Sequence, residues 1–202
     1  MDFIEQLLCT WKVINMADII LTLAQIENIF QTQTTKMLGY STAPINGIPQ
    51  NQDKVRIAFA RAGAPAFKIT DNICFLQITT QDDQYNRQRN SMHQELDSLF
   101  VKKKTSYTRV HKIKWTCYGS NSFDNIEKIR NGIFLDEYVN TFHLNNLYLI
   151  LDVPAPSRIP ESFNGQWWER SDFEVLYNEK VVRELSIPII TSVRTPQIII
   201  NK

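Results

Sequence analysis

Residues 72–80, NICFLQITT, are apolar at both odd and even positions, and this pattern constrains the fold more than any other stretch of the chain. Successive side chains of an extended chain point to opposite sides, so such a strand needs cover on both faces. It therefore predicts a central strand of a sheet. Residues 105–119 are a second β-rich stretch whose odd positions predict one buried face. Those positions are Tyr107, Ile113, Trp115 and Cys117.

Two segments have the spacing of amphipathic helices. Residues 17–37 carry an apolar stripe, with Asp18 in the expected first turn and Gly39 as the expected end. Residues 123–145 carry a second stripe, which Gly132 is expected to divide into two helices, with Ser120 or Ser122 as the N-cap. The apolar positions of the two stripes are Ile19, Leu23, Ile26, Phe30 and Met37, and Ile126, Ile129 and Ile133.

The remaining segments favour strands and loops. Strands are predicted over 55–60, 147–153, 166–180, 182–188 and 192–201. Residues 91–100 are expected to hold a short helical turn or a loop, and the prolines at 154, 156 and 160 an extended loop. The order helix, strands, helix, strands predicts an α+β fold with a mixed, largely antiparallel sheet flanked by helices. We expect 1–38 to form an N-terminal helical arm and first helix, and 39–202 a single α+β domain.

Charge and cysteine content narrow the class of protein. The 202 residues include 22 basic and 21 acidic side chains, so the net charge of +1 gives no overall basic surface for nucleic acid. Cys9, Cys74 and Cys117 are widely spaced, and no pair can be assigned as a bridge, so free thiols in a reducing compartment are expected. No apolar run spans a bilayer, and Asp2 and Glu5 make a poor signal peptide, so cytoplasmic synthesis is expected.

Catalytic motifs are nearly absent from the sequence. No phosphate-binding glycine loop, zinc-protease motif or nucleophile elbow occurs, and His93, His111 and His143 are scattered. We therefore expect no enzymatic activity, no metal and no cofactor.

Asp82 and Asp83 follow the predicted central strand, with Arg87 and Arg89 close by in the same loop. The favoured interpretation is an ion-pair cluster that braces the loop or lies at a subunit boundary. A metal or catalytic site is the alternative, because such sites often follow central strands.

Residues 102–114 carry six basic side chains and no acidic one. A solvated loop and strand edge is the favoured interpretation, since lysines on an edge oppose aggregation. The alternative is a surface that faces DNA or an acidic neighbour, and hence a nucleic-acid-binding module. The six residues are Lys102, Lys103, Lys104, Arg109, Lys112 and Lys114.

Trp167 and Trp168 form a dense aromatic patch with Phe163 and Pro160. Packing is the default interpretation of such a patch. An interface anchor that includes Arg170 is the alternative, because Trp and Arg are enriched at binding hot spots.

Three segments together resemble the neck or tail-terminator proteins of tailed bacteriophages. They are GAPAFKITDNICFLQITTQDDQYNRQRN (63–90), YGSNSFDNIEKIRNGIF (118–134) and LNNLYLILDVPAPSRIPESFNGQWWERSDFEVLYNE (144–179). The resemblance covers most of the chain from about residue 55 to 180 and leaves out the first 15 residues. Met16, immediately before the predicted 17–37 helix, is a candidate alternative start.

The resemblance implies a non-enzymatic virion protein of the phage neck, with a tail-terminator-like α+β fold. It implies a ring, usually of six subunits, that ends the tail tube beneath the head–tail connector. Tube or sheath proteins would be further partners, and genomic DNA would pass through the ring. From length alone, six compact subunits would leave a hole of roughly 35–45 Å. Under this hypothesis Asp82, Asp83, Tyr85, Arg87 and Arg89 lie at a subunit boundary or brace the loop. The 1–15 arm and Pro196–Asn201 would contact neighbours.

Overall fold

A computed structural model describes residues 20–40, 54–59, 67–95 and 99–189. The expected 1–15 arm, the start at Met16 and the 192–201 strand lie outside these residues. The helices are α1 (Leu23–Met37), α2 (Gln84–Arg87), α3 (Ser122–Gly132) and α4 (Asp136–Leu144). The strands are β1 (Val55–Ile57), β2 (Ile73–Gln81), β3 (Asn90–Glu95), β4 (Phe100–Tyr118), β5 (Leu147–Leu149), β6 (Ser157–Phe163) and β7 (Gln166–Pro188).

The fold is α+β, as predicted, with a mixed and mostly antiparallel sheet in the order β1-β2-β4-β7-β5. β3 pairs with β4, and β6 pairs with β7. Only the pair β1 and β2 is recorded as parallel among the described strands. The predicted central strand is β2, which lies between β1 and β4.

Contacts divide the chain into two compact units. The larger, here the core unit, is described over 21–40, 54–59, 67–88 and 108–180. The smaller, here the ribbon unit, is described at Ile20 and over 89–95, 99–107 and 181–189. β4 and β7 contribute residues to both.

One face of the sheet in the core unit packs against helices. Phe30 of α1 stacks on Phe142 of α4 at a ring distance of 4.9 Å and meets Tyr177 of β7 edge-on at 4.9 Å. Trp115 of β4 is completely buried, and its indole N–H donates to Thr34 Oγ1 over 2.9 Å. The predicted apolar face of α3 is confirmed, because its three isoleucines are fully buried: Ile126, Ile129 and Ile133.

The predicted boundaries need correction at both helical segments. α1 begins at Leu23 and not at 17, because the Thr22 side chain accepts a hydrogen bond from the Gln25 amide and so forms the N-cap. Asp18 is therefore outside its first turn, and Leu23 is exposed. The predicted end is confirmed, since Gly39 has φ +77°. The predicted division of 123–145 is also confirmed, although Asn121 is the N-cap of α3.

Several strand predictions were wrong in extent or kind. β1 ends at Ile57 and β5 at Leu149, both earlier than predicted, whereas β4 begins at Phe100, five residues earlier than predicted. Residues 166–180 and 182–188 form one strand, β7. Residues 90–95 are a strand and not a helical turn or loop. The side chains of this strand, β3, are exposed on both faces, so the sequence shows no alternation of apolar and polar residues there.

The expected proline loop is also partly strand. Pro160 lies in β6, which pairs with β7 on one side. Proline has no backbone N–H, and it is tolerated on an edge strand where that N–H would point away from the neighbouring strand.

Candidate functional site

The β6–β7 hairpin of the core unit presents the most exposed aromatic side chains of its strands. Phe163 and Gln166 are register partners, so the turn consists of Asn164 and Gly165. Both have positive φ, 50° and 72°, as a type I′ turn requires. The turn holds Phe163 and Trp167 beside it, with exposed fractions of 65% and 71%.

An aromatic cluster supports the hairpin from one side. The Trp168 ring lies 5.4 Å from Phe67, 6.4 Å from Tyr118 and 6.3 Å from Phe163, measured between ring centroids. The indole nitrogen of Trp168 is buried and has no hydrogen-bond partner among the described residues. Trp168 therefore packs against aromatic residues of its own chain, while Trp167 on the other side of the strand remains exposed.

Arg170 is held by two carboxylates of the same chain. Its Nε and Nη2 donate to the two oxygens of Asp172 over 2.8 and 2.7 Å, and its Nη1 donates to Glu161 over 3.1 Å. The hydrogen bond to Asp172 raises the pKa of Arg170. Burial acts to raise the pKa of Asp172, but hydrogen bonds from Arg170 and Lys114 hold it below its ordinary value.

Tyr118 joins this network from β4. Its hydroxyl donates to Glu161 over 2.8 Å. Burial and this hydrogen bond raise the pKa of Tyr118 to about 12. The network fixes β4, β6 and β7 relative to one another behind the exposed Trp167.

A cleft runs along the hairpin beside Trp167. Its apolar floor is suited to an apolar side chain of a protein partner, with charged groups at the rim. The ion pair between Arg158 and Glu169, 3.1 Å long, lies at that rim. The cleft is lined by Arg158, Pro160, Trp167, Trp168, Glu169 and Arg170.

The loop after β2 contains an exposed ion pair. Arg87 Nη2 lies 2.5 Å from Asp82 Oδ2, and both side chains are 72% exposed. The hydrogen bond from Arg87 lowers the pKa of Asp82. The one-turn helix α2 places the two residues together. The side-chain amide of Asn86 also donates a hydrogen bond to the Gln81 carbonyl over 2.6 Å.

The other loop residues singled out from the sequence are Asp83, Tyr85 and Arg89. The Asp83 carbonyl accepts a hydrogen bond from the Asn86 amide over 3.0 Å. Tyr85 lies in α2, and its side chain is outside the described part of the structure. In the ribbon unit, the Arg89 guanidinium stacks on the Tyr107 ring at 4.2 Å.

The basic side chains of β4 in the core unit pair with acids of β7. Lys112 Nζ lies 2.8 Å from Glu174, and Lys114 Nζ lies 3.0 Å from Asp172. A step of two residues forward on β4 is matched by two residues backward on β7, which is the pattern of antiparallel neighbours. These cations are thus compensated within the chain.

In the ribbon unit the same compensation occurs at Glu184. Lys102 Nζ lies 2.7 Å and Lys104 Nζ 3.7 Å from its carboxylate. The hydrogen bond from Lys102 lowers the pKa of Glu184. For Lys103 the described residues show no acidic partner.

Glu179 is a buried acid that the sequence did not single out. His111 Nε2 and Arg109 Nη2 lie 2.7 and 2.6 Å from its Oε2, and the Leu21 amide donates to its Oε1 over 3.0 Å. An ionised carboxylate only accepts, so the His111 Nε2 carries the hydrogen. The His111 Nδ1 is buried and has no partner among the described residues. Arg109 also donates to the Leu21 carbonyl, so this cluster fixes the chain just before α1.

The described residues contain no group of three or more His, Cys, Asp or Glu side chains that could hold a metal ion. None of their helices is both long and apolar enough to cross a membrane.

The chain combines an α+β fold with an exposed aromatic hairpin and with surface charges that are paired within the chain. Comparison with protein families identifies it further: the chain belongs to the family of phage neck terminator proteins, whose model matches residues 24–202. The resemblance seen in the sequence is thereby confirmed, and the protein is a structural component of the phage neck. Comparison with curated proteins gives no match.

The sequence reasoning missed β6 and the hairpin, although a signal was present. Asn-Gly between two extended stretches is the strongest short-range indication of a two-residue hairpin. Here Asn164 and Gly165 supply it, one residue ahead of the two tryptophans. By contrast, no local signal marks Glu179 as the partner of Arg109, 70 residues away in the chain.

Proposed function

We propose that this protein forms a ring, of six copies, that ends the tail tube and joins it to the head–tail connector. Membership of the phage neck terminator family supports a place at this junction. The ring leaves a lumen through which genomic DNA passes, and its neighbours are the connector and the tube or sheath proteins. The particle is assembled in the host cytoplasm.

The exposure of Trp167 is the observation that carries the subunit contact. The Trp167 indole is 71% exposed and lines an apolar cleft on the hairpin, so the two together offer a neighbour an apolar surface to cover. Burial of a tryptophan in a neighbour's pocket is typical of binding hot spots. We assign Trp167 as the anchor, with Trp168 and Arg170 holding it from behind.

The loop with Asp82, Asp83, Tyr85, Arg87 and Arg89 is proposed as a second, polar contact at the subunit boundary. The exposed Asp82–Arg87 pair favours this role, because it holds a fixed pair of opposite charges at the surface. Its own contribution to the stability of the subunit is small, as for other exposed pairs.

The compensated charges of β4 favour a wall for DNA passage over a DNA-binding module. Tight binding needs cations that are free to neutralise phosphates. Five of the six basic side chains of 102–114 are paired with acids of β7, namely Lys102, Lys104, Arg109, Lys112 and Lys114. A lumen with such a surface would not hold the genome back.

The test is the assembly state of Trp167→Ala, measured by sedimentation of the purified full chain and by electron microscopy of rings. We expect the variant to remain folded, with an unchanged melting temperature, and to lose the ring. Leu144→Ala is the matched control, because Leu144 is 85% exposed and lies on α4, away from the hairpin in the sequence. Rings of unchanged stability in Trp167→Ala would contradict the assignment of the anchor. A wild-type protein that is strictly monomeric and absent from virions would contradict the ring itself.

A further inference from the structure

Cys74 and Cys117 face each other inside the core unit. They are register partners on the antiparallel strands β2 and β4, and their exposed fractions are 2% and 0%. Both are free thiols in the structure. Two thiols at directly opposed positions of neighbouring strands are a specific arrangement, because a shift of one residue in register would separate them.

The backbone shows which kind of pair this is. The Cys74 amide donates to the Lys54 carbonyl over 2.8 Å, on the β1 side of β2. The N–H and C=O of a strand residue point to the same side, so Cys74 makes no ladder hydrogen bond with β4. The pair with Cys117 is therefore of the non-hydrogen-bonded kind, in which the Cα atoms are about 4.5 Å apart and the side chains are closest. Disulfides span Cα distances of about 4.4–6.8 Å.

The Cys74 side chain lies close enough to Cys117 to affect its ionisation. Hydrogen bonding to Cys74, together with burial, raises the pKa of Cys117 well above its ordinary value. At neutral pH the sulfur of Cys117 is thus a protonated, weakly reactive thiol. The register places it directly opposite the Cys74 thiol.

We infer that Cys74 and Cys117 are a modification site that closes into a cross-strand disulfide when the protein meets a small-molecule disulfide such as oxidised glutathione. One sulfur attacks as the thiolate and displaces one reduced glutathione, and the second sulfur then displaces the other glutathione. One Sγ–Sγ bond forms, the glutathione disulfide is reduced, and the two thiol protons leave with the two glutathione molecules. Oxidising surroundings of this kind are met outside a reducing cytoplasm. The inference does not depend on the ring.

The bond would tie β2 to β4 at the centre of the sheet and close a loop that contains α2 and β3. Cross-links of this kind stabilise mainly by restricting the unfolded chain. For a chain of this size we expect the melting temperature to rise by about 5–10 °C. Because both sulfurs are buried, oxidation follows openings of the surrounding structure and is slow.

The experiment uses the full chain with Cys9→Ser, so that the two thiols in question are the only ones. The reduced protein is incubated with oxidised glutathione below its melting temperature, unfolded, alkylated and digested. We expect a mass loss of two hydrogens, a linked peptide pair that contains Cys74 and Cys117, no alkylation at either, and the higher melting temperature.

Cys74→Ala and Cys117→Ala in the same background are the matched controls. Each should show neither the linked peptides nor the rise in melting temperature on oxidation, compared with its own reduced form. Two outcomes would overturn the inference: both cysteines alkylated after prolonged oxidation, or glutathione attached to either sulfur as the end product. If a single variant fails to fold, the linked peptides in the Cys9→Ser chain decide the question alone.

Discussion

Arg109 donates from both Nε and Nη2 to a single oxygen of Glu179, over 2.9 and 2.6 Å, and that carboxylate is 1% exposed. The same oxygen is reached by His111, so one acid on β7 gathers two basic side chains of β4. The sequence places Arg109 in the same basic segment, 102–114, as five lysines. Inside the fold it is a structural residue, because it also fixes the Leu21 carbonyl ahead of α1.

Glu179→Gln should destabilise the protein by about 3 kcal/mol, because it leaves Arg109 without a buried counter-charge. Burial acts to raise the pKa of Glu179, but the hydrogen bonds from His111, the Leu21 amide and Arg109 hold it below its ordinary 4.5. A lowered pKa adds stability above pH 4.5 that is lost as the pH falls through the folded-state value.

Denaturant unfolding from pH 7 to pH 3 measures how the stability contributed by Glu179 depends on pH. The difference in free energy of unfolding between the wild type and Glu179→Gln should narrow below pH 4.5. Comparing the two chains at each pH cancels the other acids with lowered pKa values, such as Asp172. A difference that stays constant over this range would show that the charge of Glu179 is not what stabilises the cluster.

Gly119→Ala should destabilise the protein by about 3 kcal/mol, because two costs coincide there. Gly119 has φ +102°, and a Cβ would lie 2.7 Å from the Asp71 carbonyl oxygen and 2.5 Å from Asn72 Oδ1. Gly165→Ala is the matched control: its φ is +72°, but a Cβ there meets open space. It should cost only about 1 kcal/mol. Equal losses of unfolding free energy in the two variants would rule out the close approach as the cause.

Tyr118→Phe should make the protein less sensitive to alkali. Burial and the hydrogen bond to Glu161 raise the pKa of Tyr118 to about 12, from 10.0. The unfolded chain therefore loses this proton first, and stability falls as the pH rises from 10 through about 12. Tyr177, whose pKa burial also raises, adds to the same loss in both chains. Denaturant unfolding at pH 9 and pH 11 should show a smaller drop for the variant, and an equal drop would refute the role of Tyr118.

Arg87→Asp should weaken assembly without unfolding the subunit. The substitution places two carboxylates where Asp82 and Arg87 now pair, at a surface where both are 72% exposed. The melting temperature of the monomer should change little, because exposed pairs contribute at most about 1 kcal/mol. Sedimentation at physiological salt measures the ring, with Arg130→Asp as a control that breaks a partly exposed pair on α3, to Glu127. Unchanged assembly removes Arg87 from the proposed contact.

The sequence predicted the elements whose apolar residues recur with the period of a helix or a strand. β2, positions 113, 115 and 117 of β4 and the isoleucine stripe of α3 are all local patterns that burial on one or two faces imposes. Tyr107, which was predicted on the same buried face of β4, is only half-buried. β3 was missed because an exposed strand is held by backbone hydrogen bonds, which any side chains allow. The start of α1 was missed because a single cap at Thr22 decides it, against a stripe that continues upstream.

The sequence by itself determined the α+β class, the balanced charge and the resemblance to phage neck proteins. Only the tertiary structure decided which charges form ion pairs within the chain. The reason is that β7 brings acids from more than 50 residues away against the cations of β4. It also decided that Cys74 and Cys117 are opposed, since register is set by the whole sheet. Ion pairs and opposed cysteines depend on distance in space, and distance in space cannot be read from separation along the sequence.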